Sequence, residues 1–190
     1  MSFLISFLKI TFFSILLLGF FSEAKAFQET PSVLIYAYPL NWYIRYDKNE
    51  NQELRRFDPR VFGVGLDFKK IEISFELTQF DSSTQSGNLT IRREEQETHF
   101  WGRMSFWSWN SLNFYSGLAI GSYNELIRST LGSAVSEKTS QWNWSAGAAV
   151  GFKVDINQYL LSSFEIRTIF GKDFDPQPQF AGLLRLGLRF

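Results

Sequence analysis

From Val33 onward the chain keeps returning to one pattern, a run of roughly ten residues in which apolar side chains alternate with polar or small ones, followed by a polar break. Successive side chains of a strand point to opposite faces, so each run predicts a strand with one apolar face. Phe180 to Phe190 shows it most cleanly. Phe180, Gly182, Leu184, Leu186, Leu188 and Phe190 fall on one side, and Ala181, Leu183, Arg185, Gly187 and Arg189 on the other. Seven earlier runs read the same way: Val33–Tyr46, Phe57–Phe68, Ile71–Asp81, Thr98–Trp109, Leu112–Tyr123, Gln141–Val154 and Tyr159–Gly171. In the first of these, Leu34, Tyr36, Tyr38, Leu40 and Trp42 are expected on one face. Pro39 cannot donate to a ladder and marks a bulge, or the point where pairing begins.

The breaks between runs alternate in length. Asp47–Arg56, Ser82–Glu97, Asn124–Ser140 and Lys172–Gln179 are long and polar, with Asn88–Arg92 open to a second reading as an extension of the strands beyond the membrane, whereas Lys69–Lys70, Asn110–Ser111 and Asp155–Gln158 are short. Two-residue links imply hairpins. An even number of strands, short turns on one side and long loops on the other is the rhythm of a transmembrane barrel. The fold class expected is therefore all-β, an eight-stranded antiparallel up-and-down transmembrane β-barrel. Its closing strand, Phe180–Phe190, must pair with Val33–Tyr46, because an open edge in lipid leaves backbone groups unsatisfied.

A soluble barrel would alternate as well, with its apolar face turned inward around a ligand. The content of the polar face separates the two. Gly63, Gly65, Gly117, Gly121, Gly147 and Gly151 suit the crowded inside of a narrow barrel better than a water-facing exterior. The same face carries Arg45, Arg103, Lys153, Arg167, Arg185 and Arg189, with Asp67, Glu72, Glu76 and Glu165 to balance them. Inside a lumen these form a charge network, since a buried unpaired charge costs several kcal/mol or more. Arg185 and Arg189 are expected to meet carboxylates such as Glu72, Glu76 and Glu165. Trp42, Trp142 and Trp144 stand at the long-loop ends of their strands, and Trp109 and Tyr159 at the short-turn ends, as two aromatic girdles would.

Composition adds little that conflicts. The 190 residues suit one barrel domain, 27–190, and contain no cysteine, 21 Phe and 6 Trp. The formal charge is zero, with no basic tract to follow a phosphate backbone, which excludes nucleic acid as a partner. Lys9, the apolar run Ile10–Phe21 and the small-x-small site Ala24-Lys25-Ala26 predict a cleaved signal peptide over 1–26. Removing Lys9, Lys25 and Glu23 takes the formal balance to −1.

With its signal peptide, strand rhythm, Phe190 and Leu188 two residues before it, the chain resembles the small eight-stranded outer-membrane barrels of Gram-negative bacteria, the OmpA-barrel, OmpX and opacity-like group. The resemblance implies outer-membrane localisation, contact with membrane lipid and lipopolysaccharide, a monomer, and insertion by the barrel-assembly machinery, with Leu188 and Phe190 as the assembly signal. That signal usually carries a Gly where this sequence has Arg185. The resemblance implies no particular activity. A structural or surface-interaction role through the long loops is expected, with a narrow pore as one alternative.

The other alternative is a lipid-modifying enzyme resembling the lipid A deacylases. These place a Ser two residues after a His on one strand. His99 is the single histidine, and Trp101 occupies the position of that Ser; the next serine is Ser105. No catalytic residue is assigned on this basis. Neither cofactor nor metal is expected, because one His and scattered carboxylates lack ligand spacing. Arg92-Arg93-Glu94-Glu95 reads as a self-neutralising loop, or as a contact to lipopolysaccharide phosphate.

Overall fold

The computed structural model describes residues 30–47, 52–57, 60–131, 133–139, 141–171 and 179–190. The signal-peptide expectation, and all of the last long link except Gln179, lie outside the described residues. Among the described residues there are ten strands: β1 (Ser32–Asp47), β2 (Gln52–Phe57), β3 (Arg60–Asp67), β4 (Ile71–Ser86), β5 (Leu89–Trp109), β6 (Leu112–Leu131), β7 (Ala134–Thr139), β8 (Asn143–Asp155), β9 (Leu160–Gly171) and β10 (Gln179–Arg189). β2 and β3 pair in succession along β1, and β7 and β8 in succession along β6. The barrel wall therefore has eight antiparallel staves. It closes where β10 pairs with β1, from Leu34↔Arg189 to Ile44↔Phe180. Two bonds between Val33 and Phe190, 3.0 and 2.9 Å, finish the seam.

Short turns form where the sequence permits an unusual backbone. Lys69 and Asn110 have positive φ (65° and 53°), and the Asp67 carboxylate accepts the Lys69 N–H at 3.0 Å. Asn157 Oδ1 accepts the Tyr159 and Leu160 amides, both at 2.8 Å, which sets the third turn.

The long links are a correction to the sequence reading. Ser82–Glu97 is not a loop: the β4–β5 ladder runs unbroken from Ile71↔Met104 to Ser86↔Leu89 and turns at Gly87–Asn88. Most of Asn124–Ser140 is the β6–β7 ladder, and Gln52–Arg56 pairs with the end of β1. Alternation reports that one face of a strand is buried. Where a hairpin rises clear of the apolar layer, backbone bonding continues but the alternation stops. β4, β5, β6 and β7 thus form a four-stranded sheet standing above the barrel.

Two bulges move side chains from the face that simple alternation gives them. The β1 register shifts between Ala37 and Leu40, on either side of Pro39. Leu34, Tyr36 and Tyr38 consequently turn into the lumen, whereas Leu40 and Trp42 face out. The β5 register shifts between Ser105 and Trp107, which turns Trp107 outward to stack on Phe114 at 5.0 Å.

The wall is apolar on its outer face and charged within. Phe62 and Phe100 are 57 % and 53 % exposed, while Glu76 and Glu165 are 0 % exposed. Buried apolar side chains form small separate clusters between the charges, the largest around Leu34, Tyr36, Tyr38, Leu161 and Leu183.

Candidate functional site

The charged centre of the lumen is built by inward-facing residues of β4, β5, β9 and β10. Arg103 is its hub. Its guanidinium donates from Nε to Glu165 at 2.7 Å, from Nη1 to Glu72 at 3.1 Å and Ser74 at 2.8 Å, and from Nη2 to Glu76 at 2.6 Å. Arg167 donates to Glu76 at 2.8 Å and pairs with Glu165 at 3.0 Å. Arg185 grips both oxygens of Glu72, at 2.6 and 2.9 Å, and donates from Nε to Ser163 at 2.8 Å. Three guanidinium groups thus face three carboxylates, all buried. The planar fork of Arg suits such multidentate pairing, which a Lys point charge cannot reproduce.

Tyrosines complete the carboxylates' coordination. Tyr36 and Tyr38 donate to Glu76 at 2.9 and 2.7 Å, and Tyr115 to Glu165 at 3.0 Å. The β1 bulge is what brings the first two inward. Trp101 lies between Arg103 and Arg167, each 4.8 Å from its ring, so aromatic faces supply the remaining cation contacts. Glycines leave the room these side chains occupy. A Cβ on Gly63 would overlap the Tyr36 ring, and one on Gly117 would stand 2.9 Å from Arg103 Cγ.

A second cluster sits toward the short turns. Asp67 accepts from Lys153 at 3.2 Å and from Arg189 at 2.6 Å, and Arg189 also reaches Asp155 at 2.9 Å. Arg185 meets Glu72, but Arg189 goes to these aspartates rather than to Glu72, Glu76 or Glu165. Being four residues nearer the end of β10, it lies level with the β3 and β8 ends. The side chain of Arg45 lies outside the described residues.

His99 and Ser145 were not linked by the sequence, which placed them 46 residues apart. The structure brings His99 Nε2 within 3.0 Å of Ser145 Oγ. His99 pairs with Gly121, and Gly121 with Ser145. The residue between them has no side chain, and a Cβ there would strike the His99 ring. Counting inward positions across β5, β6 and β8 would have found the pair. Both residues are buried in the lumen, away from the outer wall. No group of three or more His, Cys, Asp or Glu able to hold a metal exists among the described residues.

Trp42, Trp142 and Trp144 are exposed toward the hairpin end, and Trp109 and Tyr159 toward the short turns. Trp107 joins the latter, which the bulge concealed from the sequence. Leu188 on β10 and Phe190, one residue past its end, are exposed on the outer wall. Outside the barrel, Arg92 pairs with Glu94 at 3.0 Å and Asp81 at 3.7 Å.

The closed eight-stave wall, with an apolar exterior and a charged, filled lumen, defines the fold of small outer-membrane β-barrels. Among solved structures of this fold, the chain is similar to Neisserial surface protein A, with a TM-score of 0.64 at 14 % identity over 85 % of this chain and 98 % of that one. It is also similar to Ail, the attachment invasion locus protein of Yersinia pestis, with a TM-score of 0.57 at 11 % identity over 85 % of this chain and 99 % of that one. The same protein in complex with the heparin analogue sucrose octasulfate aligns at 12 % identity, TM-score 0.57. No family model and no curated protein matches the sequence.

Proposed function

We propose that this chain is an integral outer-membrane β-barrel protein with a structural or surface-interaction role, presenting its long hairpins outside the cell and its short turns to the periplasm. The observation that carries this reading is the inverted distribution of polarity. Large apolar side chains cover the outer wall while three Arg and three Glu are sealed inside, an arrangement stable in lipid and not in water. The signal peptide delivers the chain, Leu188 and Phe190 present the assembly signal to the insertion machinery, and the barrel works as a monomer among membrane lipid and lipopolysaccharide.

Two measurements test it together. The folded protein in the membrane fraction should migrate faster on a gel before heating than after. Protease added to intact cells should cut near the β6–β7 tip, Leu131–Ala134, and spare Lys69–Lys70. Cleavage at Lys69–Lys70 would invert the orientation, and an unshifted band would remove the barrel from the membrane.

The lumenal position of His99 and Ser145 argues for a non-catalytic role. A lipid substrate approaches from the outer wall, and the hydroxyl faces the other way. His99→Ala and Ser145→Ala, each verified as folded by gel shift, are expected to leave the acyl pattern of lipid A unchanged; an altered pattern would establish the enzyme reading.

A further inference from the structure

We propose that the outward face of the sheet above the barrel binds the sugar headgroup of a membrane-embedded glycolipid. This rests on the outer-membrane reading above. The β4–β5–β6 ladders order the outward side chains in cross-strand rungs, spaced roughly 7 Å along the strands. Phe75, Phe100 and Ile120 form an apolar rung. The next is Leu77, Thr98, Ser122 and Trp144, with the Thr98 and Ser122 hydroxyls 3.0 Å apart. Above it stands a carboxamide rung, Gln79, Gln96 and Asn124, and then Asp81, Glu94, Leu126 and Thr139.

The two upper rungs, with Arg92 and the intervening, buried Phe80 and Glu95, line a groove of about 330 Å³. It begins one rung beyond exposed Trp144, at the level where aromatic side chains mark the edge of the hydrocarbon layer. Headgroups of the surrounding lipid occupy that level.

The lining selects the ligand. Three carboxamides in a row each offer a donor and an acceptor, the complement of a hydroxyl that is also both. The side chains of Gln79, Gln96 and Asn124 make no hydrogen bond among the described residues, so these groups are available to a ligand. Asp81 and Glu94 add acceptors for hydroxyl protons, and Trp144 a flat apolar face for the C–H side of a pyranose. Phosphate is disfavoured. Arg92 is already held by Asp81 and Glu94, so the outward groups carry one net negative charge, and Arg128 above them is paired with Glu137 at 2.7 Å. An open groove of this kind gains occupancy when its ligand is confined to the same membrane.

The test uses the full mature protein in lipid nanodiscs, with side-chain amide NMR signals of Gln79, Gln96 and Asn124 as the readout. The probes are lipopolysaccharide with a short sugar core, the same lipid after enzymatic dephosphorylation, and the lipid-free core oligosaccharide. Both lipids are expected to shift these signals, and the free oligosaccharide to shift them at higher concentration. A Gln96→Ala, Asn124→Ala double variant, both positions half-buried on the outward face, should weaken lipid binding at least about tenfold, the effect of two lost hydrogen bonds. Binding that survives the double variant, or that disappears with the phosphates, would overturn the proposal in favour of phosphate contact. Equal affinity for the free oligosaccharide would overturn its lipid-borne source. Absence of any shift in protein that still shows a heat-modifiable band would overturn the site while leaving the barrel reading intact.

Discussion

Arg103→Leu is expected to destabilise the folded barrel by about 3–5 kcal/mol, the range found when one member of a buried ion pair is removed. The loss arises from what remains. Glu72, Glu76 and Glu165 keep their buried positions, and the Nε, Nη1 and Nη2 donors that bound them are gone. Arg103→Lys should recover only part of it, because one ammonium cannot reach three carboxylates from a single position. Unfolding in urea, followed by the gel shift or by tryptophan fluorescence, measures both. A leucine variant as stable as the parent would show that the network is not a determinant of the fold.

Val150→Lys should cost about 2–4 kcal/mol in a lipid bilayer, the penalty for a lysine near mid-membrane on the lipid face of a barrel. Val150 is 49 % exposed on the outer wall, and β8 continues on both sides of it. The prediction separates membrane from soluble barrel sharply. On a water-facing wall, adding a charge at an exposed position changes stability by less than about 0.5 kcal/mol. A variant that folds in bilayers with unaltered urea resistance would therefore contradict the lipid-facing assignment of this wall.

The barrel was legible because a narrow, inverted fold writes itself twice on each strand, once in the apolar residues and once in the small or charged ones. β8 shows both, with Val150 and Phe152 out against Gly147, Ala149 and Lys153 in. Alternation failed where the backbone gained a residue. Nothing in the residue pattern around Trp107 distinguishes it from its inward neighbours, and Tyr36 and Tyr38 were placed with Leu40 because Pro39 gave the position of a bulge without its effect on the faces. The charged set was visible as a set, but its pairings were not. Whether Arg189 reaches Glu72 or Asp67 depends on strand stagger, which sequence does not specify. The His99–Ser145 bond and the carboxamide rung share that cause: each joins residues distant along the chain through register alone. Polar hairpins that extend beyond the barrel wall carry no burial signal, so the sheet bearing the groove read as loops.

The charge cluster also constrains the order of assembly. Arg103 can meet Glu72 and Glu76 once β4 and β5 have paired, but its bond to Glu165 spans 62 residues, that of Arg167 to Glu76 spans 91, and that of Arg185 to Glu72 spans 113. No nascent hairpin contains all these partners. An incomplete sheet would expose unmatched guanidinium and carboxylate groups to hydrocarbon, at a cost that disappears only when β10 reaches β1. Water must therefore accompany these side chains until the last strand arrives, and its expulsion is coupled to closure. Contacts of such long range slow folding, and the interior acts as a checkpoint that only the complete cylinder passes.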